Sequence, residues 1–105
     1  MSQKESIEVN ISQDSDATLF RAIARFINYE FIVEFIETKN EPNQRSWIFK
    51  YENTTFALHA ENQVGISIFT SEVSENSAAL LKSISSRIQK ERSNPSSRHL
   101  PYKGL

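Results

Sequence analysis

The chain of 105 residues contains no cysteine. That absence excludes disulfides, thiolate nucleophiles and Cys-ligated zinc together. With nothing pointing to an oxidising compartment, the cytoplasm is the expected location. Only two glycines are present, Gly65 and Gly104, too few for a glycine-rich loop that cradles phosphate. Gly65 is better read as a place where a strand omits a side chain. Histidine is equally scarce: His59 and His99 stand alone, neither with a second His or a carboxylate at metal-ligand spacing, so neither a metal nor a cofactor is expected. No window approaches the roughly 18 consecutive apolar residues of a membrane-spanning helix. The first twenty residues also lack the unbroken apolar stretch of a signal peptide, and no membrane partner is expected. No internal repeat appears.

What is present suits a small folded body. Apolar residues make up 38% of the chain and phenylalanine supplies seven of its aromatics, enough to offset the ordering entropy that keeps polar chains disordered. At this length one hydrophobic core is expected. The formal net charge of −1 hides an asymmetry. Residues 1–81 carry six bases against twelve acids, whereas residues 82–105 carry six bases, Lys82, Arg87, Lys90, Arg92, Arg98 and Lys103, against Glu91 alone.

Period-2 and period-3.6 patterns divide the chain. Ile7, Val9 and Ile11 alternate with polar residues as a half-buried strand does. Ser15 or Asp16 is placed to cap a helix bearing Leu19, Phe20, Ile23, Phe26 and Ile27 on one face, with Arg21 and Arg25 on its wet side. Asn28 suits a left-handed C-terminal position. A second strand is expected from the alternation of Phe31, Val33 and Phe35 with Ile32, Glu34 and Ile36, ended by a loop over 38–44 that contains Pro42. Trp47, Phe49 and Tyr51 mark a third strand, and Glu52-Asn53 a tight hairpin into Thr54, Phe56, Leu58 and Ala60.

For the next turn, a two-residue loop would turn the large aliphatics away from the core, so a three-residue loop over 61–63 is expected. It sets Val64 by Ala60, Ile66 by Leu58, Ile68 by Phe56 and Gly65 by His59. A second helix follows, with Ser74 or Asn76 as cap, Ala78, Leu81, Ile84 and Ile88 as its apolar stripe, and Ser83, Ser86 and Gln89 outward. The order is β-α-β-β-β-β-α: an α+β two-layer sandwich, its sheet of about five mostly antiparallel strands carrying both helices on one face. The first two strands, if adjacent, should be parallel with a right-handed crossover. Residues 1–92 form the single domain, and 93–105, with two prolines and no periodicity, a tail without regular structure.

No complete set of catalytic residues is found, and the chain is expected not to be an enzyme. Glu34, Lys50 and His59 would form a titratable cluster if strands two, three and four were neighbours; a plain cross-strand polar pair at His59 is the alternative. The open sheet face is the candidate binding surface, since the register leaves Ile32, Ile36, Ile48 and Phe69 uncovered beside Glu34, Lys50 and His59. A contiguous apolar patch implies a partner, either another protein or a second copy of the chain, unless Leu100, Pro101, Tyr102 and Leu105 fold back over it. The alternative partner is nucleic acid, bound through Lys82, Arg87, Lys90, Arg92, Arg98 and Lys103 by counterion release.

Overall fold

A computed structural model describes residues 6–94. β1 (Ile7–Ser12) leads into α1 (Ala17–Glu30), then come β2 (Phe35–Asn40), β3 (Gln44–Tyr51), β4 (Thr54–Glu61) and β5 (Gly65–Thr70), and α2 (Glu75–Arg92) closes the chain. The five strands form one sheet in the order β1-β5-β4-β3-β2, every neighbouring pair antiparallel. β1 and β2 are therefore opposite edges, and no parallel crossover between them arises. Each hairpin from β2 to β5 pairs locally, and the long α1 connection carries the chain from one edge to the other.

Both helices lie on one face. Phe20, Ile23, Phe26 and Ile27 of α1 and Leu81, Ile84 and Ile88 of α2 share a continuous core with Phe49, Phe56, Leu58, Ile66 and Ile68 of the sheet. That burial of apolar surface is the main stabilising term. In α2 the expected stripe of Leu81, Ile84 and Ile88 is buried, but Ala78 is exposed, and Ser77 and Ser85 are buried beside the stripe. Ser77 takes the inward place because it completes the cap, its Oγ accepting from the Ser74 amide at 2.8 Å while Ser74 Oγ accepts from the Ser77 amide at 3.0 Å. Gln89 is not outward either, since its Nε2 donates to Ile11 O at 2.9 Å.

α1 is capped by Asp16, whose Oδ2 accepts from the Leu19 amide at 2.9 Å. Upstream, the Asp14 carboxylate accepts from the Asp16 amide at 3.0 Å and Ser12 Oγ from the Asp14 amide at 3.0 Å, so the polar run after β1 is stitched to its own backbone. Asp16→Ala is expected to cost about 1 kcal/mol, the usual worth of a helix N-cap, read as a lowered urea midpoint.

Three local expectations need correction. Asn28 does not end α1: the helix continues to Glu30, and the left-handed residue is Ile32, with φ 55°. β2 consequently starts at Phe35. The cause is Asn28 itself, whose side-chain amide donates to Val33 O while its carbonyl accepts from the Val33 amide. Residues before Phe35 are thereby tied to α1 and withheld from β3. β2 then runs to Asn40, and only Glu41–Asn43 separate it from β3.

The β3–β4 turn is as expected, with Glu52 and Asn53 at φ 52° and 65° between the paired Tyr51 and Thr54; two positive φ angles match the twist of the strands. The next loop also has three residues, but they are Asn62, Gln63 and Val64, since Glu61 pairs with Gly65, Ala60 with Ile66 and Leu58 with Ile68. The slip of two residues keeps every side chain on its expected face. It places Val64 in the turn, 56% exposed, instead of beside Ala60, and Gly65 opposite Glu61 instead of His59. At Gly65 the backbone of Ser12, the last residue of β1, and of Gln13 passes where a Cβ would stand.

Candidate functional site

Among the described residues no helix or strand covers the second face of the sheet. Cross-strand pairing arranges this face in rows. One row runs from Glu37 through Ile48, Ala57 and Phe69 to Glu8. Ile36, the residue added by a bulge in β2 between Phe35 and Glu37, stands next to Ile48 and is 66% exposed. Ile48 and Phe69 are half-buried, and Ala57 between them is buried by its neighbours. The result is an apolar band across the sheet with a carboxylate at either end.

The adjacent row is polar: Lys39, Ser46, His59, Ser67 and Asn10. His59 Nδ1 is 2.7 Å from Ser46 Oγ, its Nε2 is 3.6 Å from Glu61 Oε1, and its ring meets Phe69 edge-on at 6.1 Å between centroids. A serine, an imidazole and a carboxylate in sequence resemble the parts of a nucleophilic triad. Acyl transfer also requires donors aimed at a developing oxyanion and an enclosed place for the substrate. Here no helix or strand among the described residues lies over the three side chains, and the hollow of about 220 Å³ beside Ser46 is lined by Lys39, Glu41, Gln44 and Arg45 without His59. Ser46 and His59 stand directly opposite each other on β3 and β4, and polar side chains so placed interact as a cross-strand pair.

Of the residues expected on this face, the structure brings Ile36, Ile48, His59 and Phe69 together. Lys50 shares the face but lies opposite Thr55, two rows from His59. Ile32 and Glu34 are not on it, because they belong to the α1–β2 connection that Asn28 holds. The cluster of Glu34, Lys50 and His59 therefore does not form, although β2, β3 and β4 are neighbours.

The basic residues of α2 divide. Arg87 is paired with Glu30 of α1, and Arg92 Nη1 donates to Ile11 O at 3.0 Å. Ile11 is the added residue of a bulge in β1, so Gln89 and Arg92 together hold a carbonyl displaced from the ladder. Lys82 and Lys90 are exposed. Arg98, His99, Lys103 and the apolar residues 100–105 lie outside the described residues. Among the described residues no group of three His, Asp or Glu could hold a metal ion, and no helix is long and apolar enough to cross a membrane.

A second surface escaped the sequence reading. Between α1 and the edge strand β2 runs a groove of about 270 Å³, floored by Ala24, Phe35 and Trp47 and rimmed by Arg21, Arg25 and Asn28. Helical spacing places residues 21, 24, 25 and 28 on one face, and that stripe, two arginines around a small residue, was the available signal. Phe35 and Trp47 alternate like any core pair, and nothing in their pattern shows that α1 stops short of covering them.

Comparison with models of protein families, with curated proteins and with solved structures finds no match to this chain.

Proposed function

We propose that this chain is a non-catalytic, cytoplasmic protein-interaction module whose open sheet face receives an amphipathic helix of another protein. The observation that carries the reading is the row Ile36, Ile48, Ala57 and Phe69 between Glu37 and Glu8, which no helix or strand among the described residues covers. Strands about 4.8 Å apart make a row across five strands roughly 19 Å long, the length of a helix of about 13 residues. Apolar side chains on such a helix would lose water against the row, and basic residues at its two ends would meet the carboxylates.

A second copy of the chain suits the face less well. Superposing the two rows face to face brings acidic ends onto acidic ends, and like charges brought together in an interface disfavour it. Nucleic-acid binding through α2 has less support again, since Arg87 and Arg92 are engaged within the protein.

Ile48→Asp and Phe69→Asp, assayed by capture of the full chain from its native lysate with and without nuclease, test the reading. Expected is a nuclease-resistant protein whose retention falls about 30-fold or more in either variant, the loss typical of a hot spot, with the circular dichroism spectrum unchanged. Retention that is unaffected by both substitutions overturns the proposal. Nuclease-sensitive retention lost on neutralising Lys82 and Lys90 also overturns it, in favour of α2, and a wild-type dimer abolished by Ile48→Asp would replace the partner with a second copy.

A further inference from the structure

The groove between α1 and β2 lies on the helix-bearing side of the sheet, so its occupant is independent of the open face. β2 is a terminal strand, and among the described residues no further strand takes up the backbone groups of its outer edge. All its residues after Phe35 are exposed. A strand edge of this kind adds another strand readily. The bulge at Ile36 and the Glu37–Lys39 ion pair, 3.9 Å long, restrain indiscriminate edge pairing, which leaves selectivity to the groove above.

The groove has two properties that specify chemistry. Its floor is apolar, and the Phe35 and Trp47 rings meet edge to face at 5.5 Å. Trp47 also meets Phe20 edge to face at 5.1 Å, so the rings form a socket and not a set of parallel faces for stacking bases. At about 270 Å³ the space falls just below the range of about 300–1,000 Å³ typical of small-molecule sites and suits one apolar side chain. Its rim is cationic. Arg21 and Arg25 are exposed, one helical turn apart, and no acidic residue lines the groove with them. The described ion pairs use Lys39, His59 and Arg87, not these two arginines.

We propose that this groove receives an extended acidic segment of another protein, added to β2 as a sixth strand with an apolar side chain seated between Phe35 and Trp47. Alternate residues of a strand share a face. The segment therefore reads acidic–x–apolar–x–acidic, its central side chain in the socket and the flanking carboxylates on Arg21 and Arg25. Backbone pairing supplies the attachment, and the arginines supply the choice of sequence.

The test uses the full chain, immobilised, and a random library of eight-residue peptides. Wild type is expected to enrich the acidic–x–apolar–x–acidic pattern, and Arg21→Glu/Arg25→Glu to weaken the enriched peptide about tenfold or more and to enrich Lys and Arg at the flanking positions instead. Both substitutions are on the exposed side of α1, and an unchanged thermal melt confirms the fold. Slowed hydrogen exchange on adding the enriched peptide is expected at alternate amides of β2, those that face away from β3, since successive N–H groups of a strand point to opposite edges. No enriched pattern, the same pattern in both proteins, or binding without protection of β2 overturns the proposal. Retention of a single-stranded oligonucleotide that the double substitution abolishes, with no peptide enriched, also overturns it and gives the groove to nucleic acid. Phe69→Asp leaves peptide enrichment unchanged, which separates this outcome from the fate of the open face.

Discussion

Replacing Gly65 by alanine is expected to destabilise the protein by about 3 kcal/mol or more, the sum of backbone strain and overpacking at a single site. Gly65 has φ +127°, a conformation that side chains with a Cβ rarely adopt. The added methyl carbon would stand 2.2 Å from Ser12 O and 2.9 Å from Gln13 Cα. Those atoms are backbone, so relief requires the end of β1 to move. Movement there breaks the Ser12–Ile66 pairing and disturbs the Ile11 carbonyl that Gln89 and Arg92 of α2 hold. A domain of this size is stable by about 5–15 kcal/mol in all, and each kcal/mol shifts the melting temperature of a 60–100-residue domain by about 4–8 °C. A melt lowered by more than about 10 °C, with β1 amides the first to lose protection from hydrogen exchange, is the expected result. Val64→Ala, one residue away in the exposed turn, should change the stability by less than about 0.5 kcal/mol. Equal effects at the two positions would show that β1 does not pass over Gly65.

The second large effect is expected at Phe49. Its ring is fully buried, in edge contact with Phe35 and stacked on Phe56, both at 5.5 Å between centroids. Phe49→Ala removes those contacts and leaves a cavity under the helices, at a cost of about 3–5 kcal/mol. Ile48, its neighbour, points to the open face and is half-buried, so Ile48→Asp should cost no more than about 1 kcal/mol. Urea unfolding followed by Trp47 fluorescence measures both. A steep loss for Phe49→Ala beside a small one for Ile48→Asp is the signature of a sheet covered on one face only. Comparable losses would mean that something covers the second face, and the proposed interaction surface would fall with that result.

Much of the fold was legible because its signals are local. The α1 stripe of Leu19, Phe20, Ile23, Phe26 and Ile27 repeats at helical spacing, and all five are buried as read. The Glu52-Asn53 hairpin was legible because two residues between alternating strands leave few turn geometries. The inward faces of β3, β4 and β5 were legible through parity, which survived even the two-residue slip after Glu61. Where competing local signals met, the reading failed. Phe31, Val33 and Phe35 alternate as a strand does, yet the first two reach the core's margin through a turn. The deciding interaction is the grip of Asn28 on Val33, five residues away.

The candidate sites divide in the same way. Membership of the open face by Ile36, Ile48, His59 and Phe69 follows from alternation, a property of each strand alone. The ordering of Ile48, Ala57 and Phe69 into one row between two carboxylates does not, because it depends on strand order and register. Ile32 and Glu34 were misplaced with β2, and the ties of Arg87 to Glu30 and of Arg92 to Ile11 join residues 57 and 81 positions apart. By itself, then, the sequence determined the two-layer α+β architecture, its element order and the core face of each main element, since these rest on periodicity and capping within short stretches. Only the tertiary structure decided the placement of β1 beside β5, the loop that precedes Gly65, the row on the open face and the groove beside α1. Each of those depends on which backbone lies next to which, and contact across the chain leaves no periodic trace in either partner.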